Sequence, residues 1–320
     1  MIKRILKDRL SLLSFLRPVL LLVANYYKTF HQIRNLISQL DFEQVDRTSF
    51  TKTKAFSRLL NSPINYADIG ARGGLLAHLR PFAAIIAPIY FEPDPEEFVR
   101  LKDSISEKNA KVFNTAISNH AEERTLFLTK KRGGSSVLHP SGHMLGLMAI
   151  DGDGIKRFDV EKETTIQTQP LDKAIKANET KIDVIKIDTQ GLEYEILSTL
   201  GDHRPFLICA ECATTEIYKN QKSLFAIGSM LERLGYFPIA LMDGNMISKT
   251  KARWRKSVQV YGDVIFVPDN SEKGVEIIKR DIEKWFAALC MHGYMDFALW
   301  QLGELKLMKP PLVIETEEML

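Results

Sequence analysis

Acidic residues stand at the ends of several short apolar runs in this sequence. Asp68 stands near the end of one run, two residues before Gly70, and Glu92, Asp188 and Glu211 stand at corresponding places further along the chain. Carboxylates bind hydroxyl and ammonium groups and take up protons, while glycine lets a ligand approach the backbone closely. The pattern indicates a site for a polar organic ligand, with side chains that could perform acid–base chemistry.

The first of these runs ends in the turn Asp68–Gly74, with the sequence DIGARGG, and a helical pattern follows it. The glycine spacing is not the G-x-G-x-x-G of nicotinamide enzymes. Asp68 would lie badly against a pyrophosphate but well beside an ammonium group. A tight strand-to-helix turn without a ligand explains the same residues equally well.

The second run ends in Glu92, which follows Gly74 by 18 residues. A carboxylate at this position of a βαβ unit accepts hydrogen bonds from both hydroxyls of a ribose. The other interpretation, an acidic residue at a helix N-terminus, fits Asp94 better because Pro95 follows it. Two successive strand ends of this kind predict a nucleoside ligand.

Two carboxylates are expected to converge over the sheet further along the chain. Lys186 and Asp188 lie two residues apart, so they project from one face of a strand, and their opposite charges are expected to stabilise each other. Glu211 ends the next strand at a similar height. Asp188, Glu211 and His139 are the candidate general bases, although Asp188 would also serve as a helix cap and His139 as a bystander in a loop.

Short apolar runs alternate with helical patterns from residue 64 onward, which is typical of βαβ units around a parallel sheet. The sequence predicts strands at 64–69, 89–93, 111–117, 182–188, 205–211, 237–242 and 261–267. It predicts helices at 74–86, 95–108, 191–200 and 222–235. Residues 124–130 are expected to form one arm of a hairpin, 131–163 a long functional loop, and 271–307 one or two amphipathic helices.

Composition limits the class of protein. The 320 residues are 45% hydrophobic and 26% charged, which is typical of a globular protein and excludes a disordered or polytopic membrane protein. The net charge of +3 is too small to imply a nucleic-acid partner. Three cysteines are too few for a disulfide framework, and no group of residues has the spacing of a metal site. We therefore expect a cytoplasmic protein without a metal.

The N-terminus differs from the rest of the chain. Residues 1–34 carry seven Lys or Arg against one Asp, along a stripe of apolar residues at helical spacing. Its longest continuous apolar run is far shorter than the roughly 20 residues that a membrane-spanning helix needs. Two positions stay open for it, one on a membrane surface and one packed against protein. The expected domains are a basic helical segment at 1–60, a central domain at 61–268 and a helical extension at 269–320.

Six segments resemble, in this order, the FkbM family of S-adenosylmethionine-dependent methyltransferases: ADIGARGG, FEPDPEEF, NTAISN, GGSSVL, QPLDKAI and DVIKIDTQGLEYEIL. The resemblance covers about residues 64–243. It implies a Rossmann-like class I methyltransferase, an α/β fold with a seven-stranded, mostly parallel sheet whose last strand is antiparallel and with helices on both faces. It also implies methyl transfer, usually to a hydroxyl of a sugar, glycan or related natural product.

The resemblance further implies where the cofactor would bind. The methionine part would be surrounded by Asp68, Gly70, Arg72, Gly73 and Gly74. Glu92 would hold the ribose, Thr115, Ala116 and Ile117 would lie beside the adenine, and Asp188, Thr189 and Gln190 would face the sulfonium and the substrate. Arg72 departs from the small polar residue of many relatives, so it is a candidate to contact the cofactor carboxylate or an acidic substrate.

Two other functions compete with methyl transfer. A nicotinamide-dependent sugar dehydrogenase would share the fold and the ribose-binding acid, but its glycine fingerprint is missing from the sequence. A non-catalytic scaffold that retains the methyltransferase fold is the second alternative. The sequence leaves the identity of the acceptor and the oligomeric state open, because acceptor specificity lies in irregular loops.

Overall fold

The structure is a computed structural model, and it describes residues 47–107, 109–141, 145, 148–149, 154–241, 244–248 and 258–307. The basic helix predicted at 1–34, the middle of the 131–163 segment and the end of the chain from 308 lie outside these residues.

Twelve strands lie within the described residues. They are β1 (Ile64–Ile69), β2 (Ile86–Phe91), β3 (Lys111–Phe113), β4 (Ala116–Ile117), β5 (Glu122–Thr129), β6 (Met148–Ala149), β7 (Val160–Gln169), β8 (Val184–Ile187), β9 (Leu207–Ala213), β10 (Tyr236–Leu241), β11 (Gly244–Ser248) and β12 (Val258–Pro268).

The same part of the chain contains eight α-helices. They are α1 (Lys54–Leu59), α2 (Pro95–Ser104), α3 (Leu171–Ala174), α4 (Glu193–Leu197), α5 (Leu224–Glu232), α6 (Glu272–Arg280), α7 (Ile282–Met291) and α8 (Met295–Glu304). Short 3-10 helices cover Arg47–Lys52, Ala77–Ile85, Arg132–Gly134 and Gly154–Phe158.

The central sheet has the order β3-β2-β1-β8-β9-β12, with both β10 and β11 paired to β12 and β6 paired to β11. The pairs from β3 to β9 are parallel, whereas β12 runs antiparallel to β9. Seven of these strands, counting β10 as the one beyond β12, form the mostly parallel sheet with one antiparallel strand that the family resemblance implies. The fold is therefore the class I methyltransferase type of Rossmann-like architecture.

The strands in the middle of the sheet are almost wholly apolar because the sheet is covered on both faces. In β1 five of six residues are buried, and β8 is buried at three of four positions. Continuous apolar runs of this kind are typical of parallel strands, which lack a solvent face. The charged residues of these two strands, Asp68 and Lys186, accordingly lie next to the last position of each strand.

The predicted strand at 111–117 is wrong, because the chain divides there. Residues 111–113 form β3 in the central sheet, whereas β4 belongs to a second, three-stranded sheet of order β4-β7-β5. Asn114 stands at the break and donates hydrogen bonds to the carbonyl oxygens of Glu92, at 2.8 Å, and Pro93, at 3.3 Å. A side chain that takes up these backbone groups favours a turn over a continued strand.

The long loop predicted at 131–163 is also shorter than expected. The 3-10 helix Gly154–Phe158 and the start of β7 at Val160 occupy its second half. The strand β7 was missed because five of its ten residues are exposed and only Ile166 and Thr168 are buried. A strand with so few buried positions gives a weak hydrophobic pattern.

Residues 272–304 form three helices, where the sequence predicted one or two, and these helices pack into the main core. All the residues that α7 buries share that core with the sheet, and they include Trp285, Phe286 and Leu289. The ring of Phe286 lies 6.3 Å from that of Phe50, in the segment before β1. Within the described residues no helix combines the length and the hydropathy needed to span a membrane.

Candidate active site

The tips of β1 and β8 are held together by a close backbone approach. The amide of Asp188 donates to the carbonyl oxygen of Ile69 at 2.9 Å. Gly70 follows with φ +83°, and a Cβ at this position would lie 2.1 Å from the carbonyl oxygen of Asp188. Only glycine fits such a position, for both its conformation and its space. The glycine of the first turn is therefore required to place Asp188.

An ion pair lies beneath this contact. The Nζ of Lys186 is 3.0 Å from Oδ1 of Asp68 and 3.9 Å from Oδ2 of Asp188. Burial works against the charge of the lysine, yet the two carboxylates outweigh it and raise the pKa of Lys186. The sequence predicted the pairing of Lys186 with Asp188, but Asp68 is the closer partner. Asp68 is only 1% exposed, and its ion pair with Lys186 joins the ends of β1 and β8.

Glu92 lies at the tip of β2 and is 6% exposed. Its Oε1 accepts a hydrogen bond from the amide of Asp94 at 2.9 Å. Burial raises the pKa of Glu92 to about 7, with a smaller opposite effect from that hydrogen bond. Asp94 caps α2 by accepting from the amide of Glu96 at 3.0 Å, so the capping role belongs to Asp94 and leaves Glu92 one oxygen without a hydrogen bond to the described residues.

A cavity opens between these strand tips and the second sheet. Nine of the predicted cofactor-binding residues line it, namely Gly70, Arg72, Glu92, Thr115, Ala116, Ile117, Asp188, Thr189 and Gln190. Asp68, Gly73 and Gly74 are predicted binding residues that do not line it. Apolar side chains of Phe91, Leu126 and Val137 complete the wall. The break after β3 is what brings residues 115–117 to this cavity.

Two arginines stand at the rim of this first cavity. Arg72 contacts Glu97, with 3.4 Å between Nε and Oε2, and Glu97 also accepts from Arg100 at 2.6 Å. Arg132 likewise lines the cavity, but its Nη1 is buried and has no hydrogen-bond partner. The charge of Arg72 is thus partly neutralised by the protein, whereas Arg132 retains a nitrogen for a ligand.

A second cavity adjoins the first, and Asp188, Gln190 and Gly133 lie in the walls of both. It extends toward β9 and the segment after it, where Glu211 and Tyr218 contribute to its wall. The site therefore consists of two neighbouring cavities with one acidic side chain between them.

Gln190 organises this shared wall. Its Nε2 lies 2.8 Å from Oδ1 of Asp188 and also donates to Oε2 of Glu211. The hydroxyl of Tyr218 is 2.9 Å from Oε1 of Gln190 and 2.9 Å from the carbonyl oxygen of Gly134. The backbone of Gln190 has φ +59°, which is unusual for a residue other than glycine. Strain of this kind is often found where a side chain must point in a required direction.

The turn that carries Gln190 is held by Glu193. This buried carboxylate accepts hydrogen bonds from the amides of Thr189 and Gly191, at 3.1 and 3.2 Å, and from the hydroxyl of Thr189 at 3.1 Å. Burial nevertheless raises the pKa of Glu193 to about 7. Glu193 therefore stabilises the turn through these hydrogen bonds. It also stands at the first position of α4, where its negative charge is favourable to the helix dipole.

Glu211 and Asp188 differ in their surroundings. Burial first, and then the neighbouring charges of Asp188 and Glu193, raise the pKa of Glu211 to about 9. Glu211 is therefore protonated at neutral pH. Asp188 is 42% exposed and stands near the ammonium group of Lys186. Of the two carboxyl groups, Asp188 is the one that is open to solvent and lies near a cation.

His139, the third candidate base, lines neither cavity. Its ring packs edge-on against Phe127, with centroids 5.1 Å apart, and its Nδ1 lies 2.9 Å from the carbonyl oxygen of Pro140.

Three residues that line the cavities were not predicted from the sequence, namely Tyr218, Arg132 and Arg157. Arg132 and Arg157 lie in short 3-10 helices and Tyr218 lies in a loop, so no helix or strand spacing in the sequence marks them.

The fold and the site define a class I methyltransferase, and comparison with known proteins gives the family. The model of the methyltransferase FkbM domain matches residues 68–238, which is more than half of the chain. The chain therefore belongs to the FkbM family of methyltransferases, and its cofactor is S-adenosylmethionine. No curated protein matches the sequence.

Solved structures of other methyltransferases are similar to the chain. Precorrin-6y C5,15-methyltransferase from Geobacter metallireducens GS-15 is 12% identical, with a TM-score of 0.32, over 67% of this chain and 87% of that one. Magnesium protoporphyrin IX methyltransferase from Synechocystis PCC 6803 is 10% identical, with a TM-score of 0.33, over 78% and 96%. These similarities are too weak to bear on the substrate.

Proposed function

We propose that this protein is an O-methyltransferase, which transfers the methyl group of S-adenosylmethionine to a hydroxyl of a sugar, a glycan or a related natural product. One observation carries the proposal: Asp188 lies in the wall shared by two adjoining cavities. A carboxylate at such a boundary is placed to accept a proton from an acceptor in one cavity while a donor occupies the other.

The first cavity has side chains that suit the cofactor. Glu92 would accept hydrogen bonds from the ribose hydroxyls, and the apolar side chains of Ile117 and Leu126 would contact the adenine ring. The unpartnered nitrogen of Arg132 fits the carboxylate of the methionine part. Asp188 and Gln190 would lie nearest the reacting end. Asp68 would act only indirectly, through Lys186.

The second cavity suits a hydroxylated acceptor because its wall is largely polar. Gln190, Glu211, Tyr218 and Gln221 contribute amide, carboxyl and phenol groups to it. When bound, the cofactor supplies a methyl group that its sulfonium already activates. The protein must then align the acceptor oxygen, exclude water and remove one proton.

Asp188 is the proposed general base. As the acceptor oxygen forms its bond to the methyl carbon and the carbon–sulfur bond breaks, Asp188 would take the hydroxyl proton. Glu211, which is protonated at neutral pH, would instead donate a hydrogen bond to the acceptor or to Asp188. Gln190 and Tyr218 would keep the two carboxyl groups in position. His139 has no part in this proposal.

Transfer of a labelled methyl group tests the function. The protein is incubated with methyl-labelled S-adenosylmethionine and a small-molecule extract of the source cells, and labelled products are isolated. We expect a methyl ether, which survives mild alkali and shows the methyl shift of an O–CH₃ group in the NMR spectrum. A product labelled on nitrogen or carbon, or a methyl ester, would contradict O-methylation of a hydroxyl.

Ligand-induced stabilisation separates the competing functions. Saturating S-adenosylhomocysteine, at about 100 times its Kd, should raise the free energy of unfolding by about 2.7 kcal/mol, whereas NAD should leave it unchanged. Stabilisation by NAD instead would favour a dehydrogenase. Stabilisation by S-adenosylhomocysteine with no labelled product from any extract would favour the non-catalytic scaffold.

A further inference from the structure

Arg157 is a cation in the wall of the second cavity that nothing in the proposed chemistry uses. Its Nε is buried and has no hydrogen-bond partner, and its guanidinium carbon lies 5.4 Å from the centre of the Phe158 ring. Among the described residues Arg157 makes no ion pair. A partly buried cation without a counter-ion is costly unless a ligand supplies the negative charge.

The acidic residues of the cavity do not supply that charge, because each has a different partner. Asp188 is contacted by Gln190 and Lys186, and Glu211 accepts from the same Gln190. Neither carboxyl group lies within ion-pair distance of Arg157. Neither acid of this cavity therefore acts as a counter-ion for Arg157.

Two hydrogen-bonded segments of the chain place further cationic side chains near Arg157. The amide of Lys131 donates to the carbonyl oxygen of Arg157 at 3.1 Å, and the amide of Lys130 donates to that of Asp159 at 2.9 Å. Segment 130–132 thus runs beside segment 156–159, and together they carry five cationic residues against the single acid Asp159. A positive region of this kind at a cavity attracts anionic ligands.

We propose that Arg157 binds an anionic group, a phosphate or a carboxylate, on the methyl acceptor. The acceptor is then a hydroxylated compound that also carries negative charge, and Arg157 determines specificity for it. The planar guanidinium suits both anions because it donates two parallel hydrogen bonds. Arg132, in the other cavity, is left for the cofactor. This inference rests on the proposed function, since it concerns the same acceptor.

Chromatography of the labelled product tests the inference. The product made from methyl-labelled S-adenosylmethionine and the small-molecule extract is applied to an anion-exchange column at pH 8. We expect it to be retained and to elute with salt. Treatment with phosphatase should abolish retention if the anion is a phosphate and leave it unchanged if the anion is a carboxylate. A labelled product that is not retained at all would overturn the inference while leaving methyl transfer intact.

Variants of two neighbouring cations provide the control. Arg157→Gln should lower the rate of labelling at limiting extract at least tenfold, which is the expected loss of a hydrogen bond to a charged group. Its affinity for S-adenosylhomocysteine should stay unchanged, which also shows that it folds. Lys156→Gln removes the same charge from an exposed side chain outside the cavity and should label at the wild-type rate.

Equal labelling rates for Arg157→Gln and wild type would contradict the role of Arg157. Equal losses of rate in Arg157→Gln and Lys156→Gln would contradict it as well. A complete lack of labelled product from the wild type would instead remove the proposed function, and this inference with it.

Discussion

At the scale of single residues, the site depends on how charge is divided between two carboxyl groups. Asp188 faces Lys186 and remains partly exposed, whereas burial beside other acids raises the pKa of Glu211 to about 9. Two acids of the same chemical type are thereby given different surroundings, and Glu211 is the one that holds its proton more tightly. Gln190, which contacts both, keeps them at a fixed separation.

The role of Asp188 is tested by Asp188→Asn. Removal of a general base typically costs a factor of 10² to 10⁴ in rate, so kcat should fall by about that much. The affinity for S-adenosylhomocysteine should change far less, because the acceptor proton is absent from that complex. Glu211→Gln is the matched comparison, since it replaces an already neutral carboxyl group and should retain much more activity. Similar losses in the two variants would contradict the assignment.

Glu92 makes a prediction about pH. Its pKa of about 7 means that the carboxylate, which accepts hydrogen bonds from ribose hydroxyls, is lost as the pH falls from 8 to 6. Calorimetry should therefore show weaker binding of S-adenosylhomocysteine at pH 6 than at pH 8.

The variant Glu92→Gln separates this effect from others. It should bind about tenfold or more weakly at pH 8, and the difference from wild type should shrink as the pH falls. If the variant keeps the pH dependence of the wild type, then Glu92 is not the titrating group.

At the scale of elements, the site is built where parallel strands end. The glycine-rich turn after β1 and the turn after β8 touch, so that one positions the other. This contact explains why Gly70 and Asp188, 118 residues apart in the chain, act as a unit. Residues 115–117, at the start of the second sheet, and residues 132–137, which follow β5, then close the cavity from the side.

Substitution of Gly70 tests that contact. In Gly70→Ala the positive φ alone should cost about 1–3 kcal/mol, and the new Cβ would also collide with the backbone of Asp188. We expect a lower free energy of unfolding in urea and loss of S-adenosylhomocysteine binding. Gly73→Ala is the control, because a Cβ there meets no atom within 4 Å. Equal behaviour of the two variants would contradict the proposed contact.

Much of this arrangement could be predicted from the sequence, for a physical reason. Parallel strands are buried on both faces, so a polar residue at the end of an apolar run marks a strand tip, and Glu92 and Asp188 were found in this way. The turn at Asn114 and the exposed strand β7 depend on tertiary contacts, so local pattern did not show them. Arg157 lies on a short 3-10 helix, and only the folded chain brings it into the wall of the same cavity as Glu211.

At the scale of the whole molecule, the C-terminal helices are part of the core that supports the sheet. Trp285 of α7 is fully buried, with 0% exposure. Trp285→Ala should therefore lower the free energy of unfolding by about 3–5 kcal/mol in urea denaturation. Trp300→Ala in α8 removes a side chain that is 55% exposed and should cost clearly less. Comparable costs would contradict an integral role for α7.

The central claim is that the cleft between the tips of β1, β2 and β8 binds the cofactor with its reacting end at Asp188. A crystal structure of the complex with S-adenosylhomocysteine measures this most directly. We predict carboxylate oxygens of Glu92 at about 2.5–3.0 Å from the ribose hydroxyls, and the sulfur facing Asp188 and Gln190. A ligand bound elsewhere, or with its ribose away from Glu92, would contradict the account.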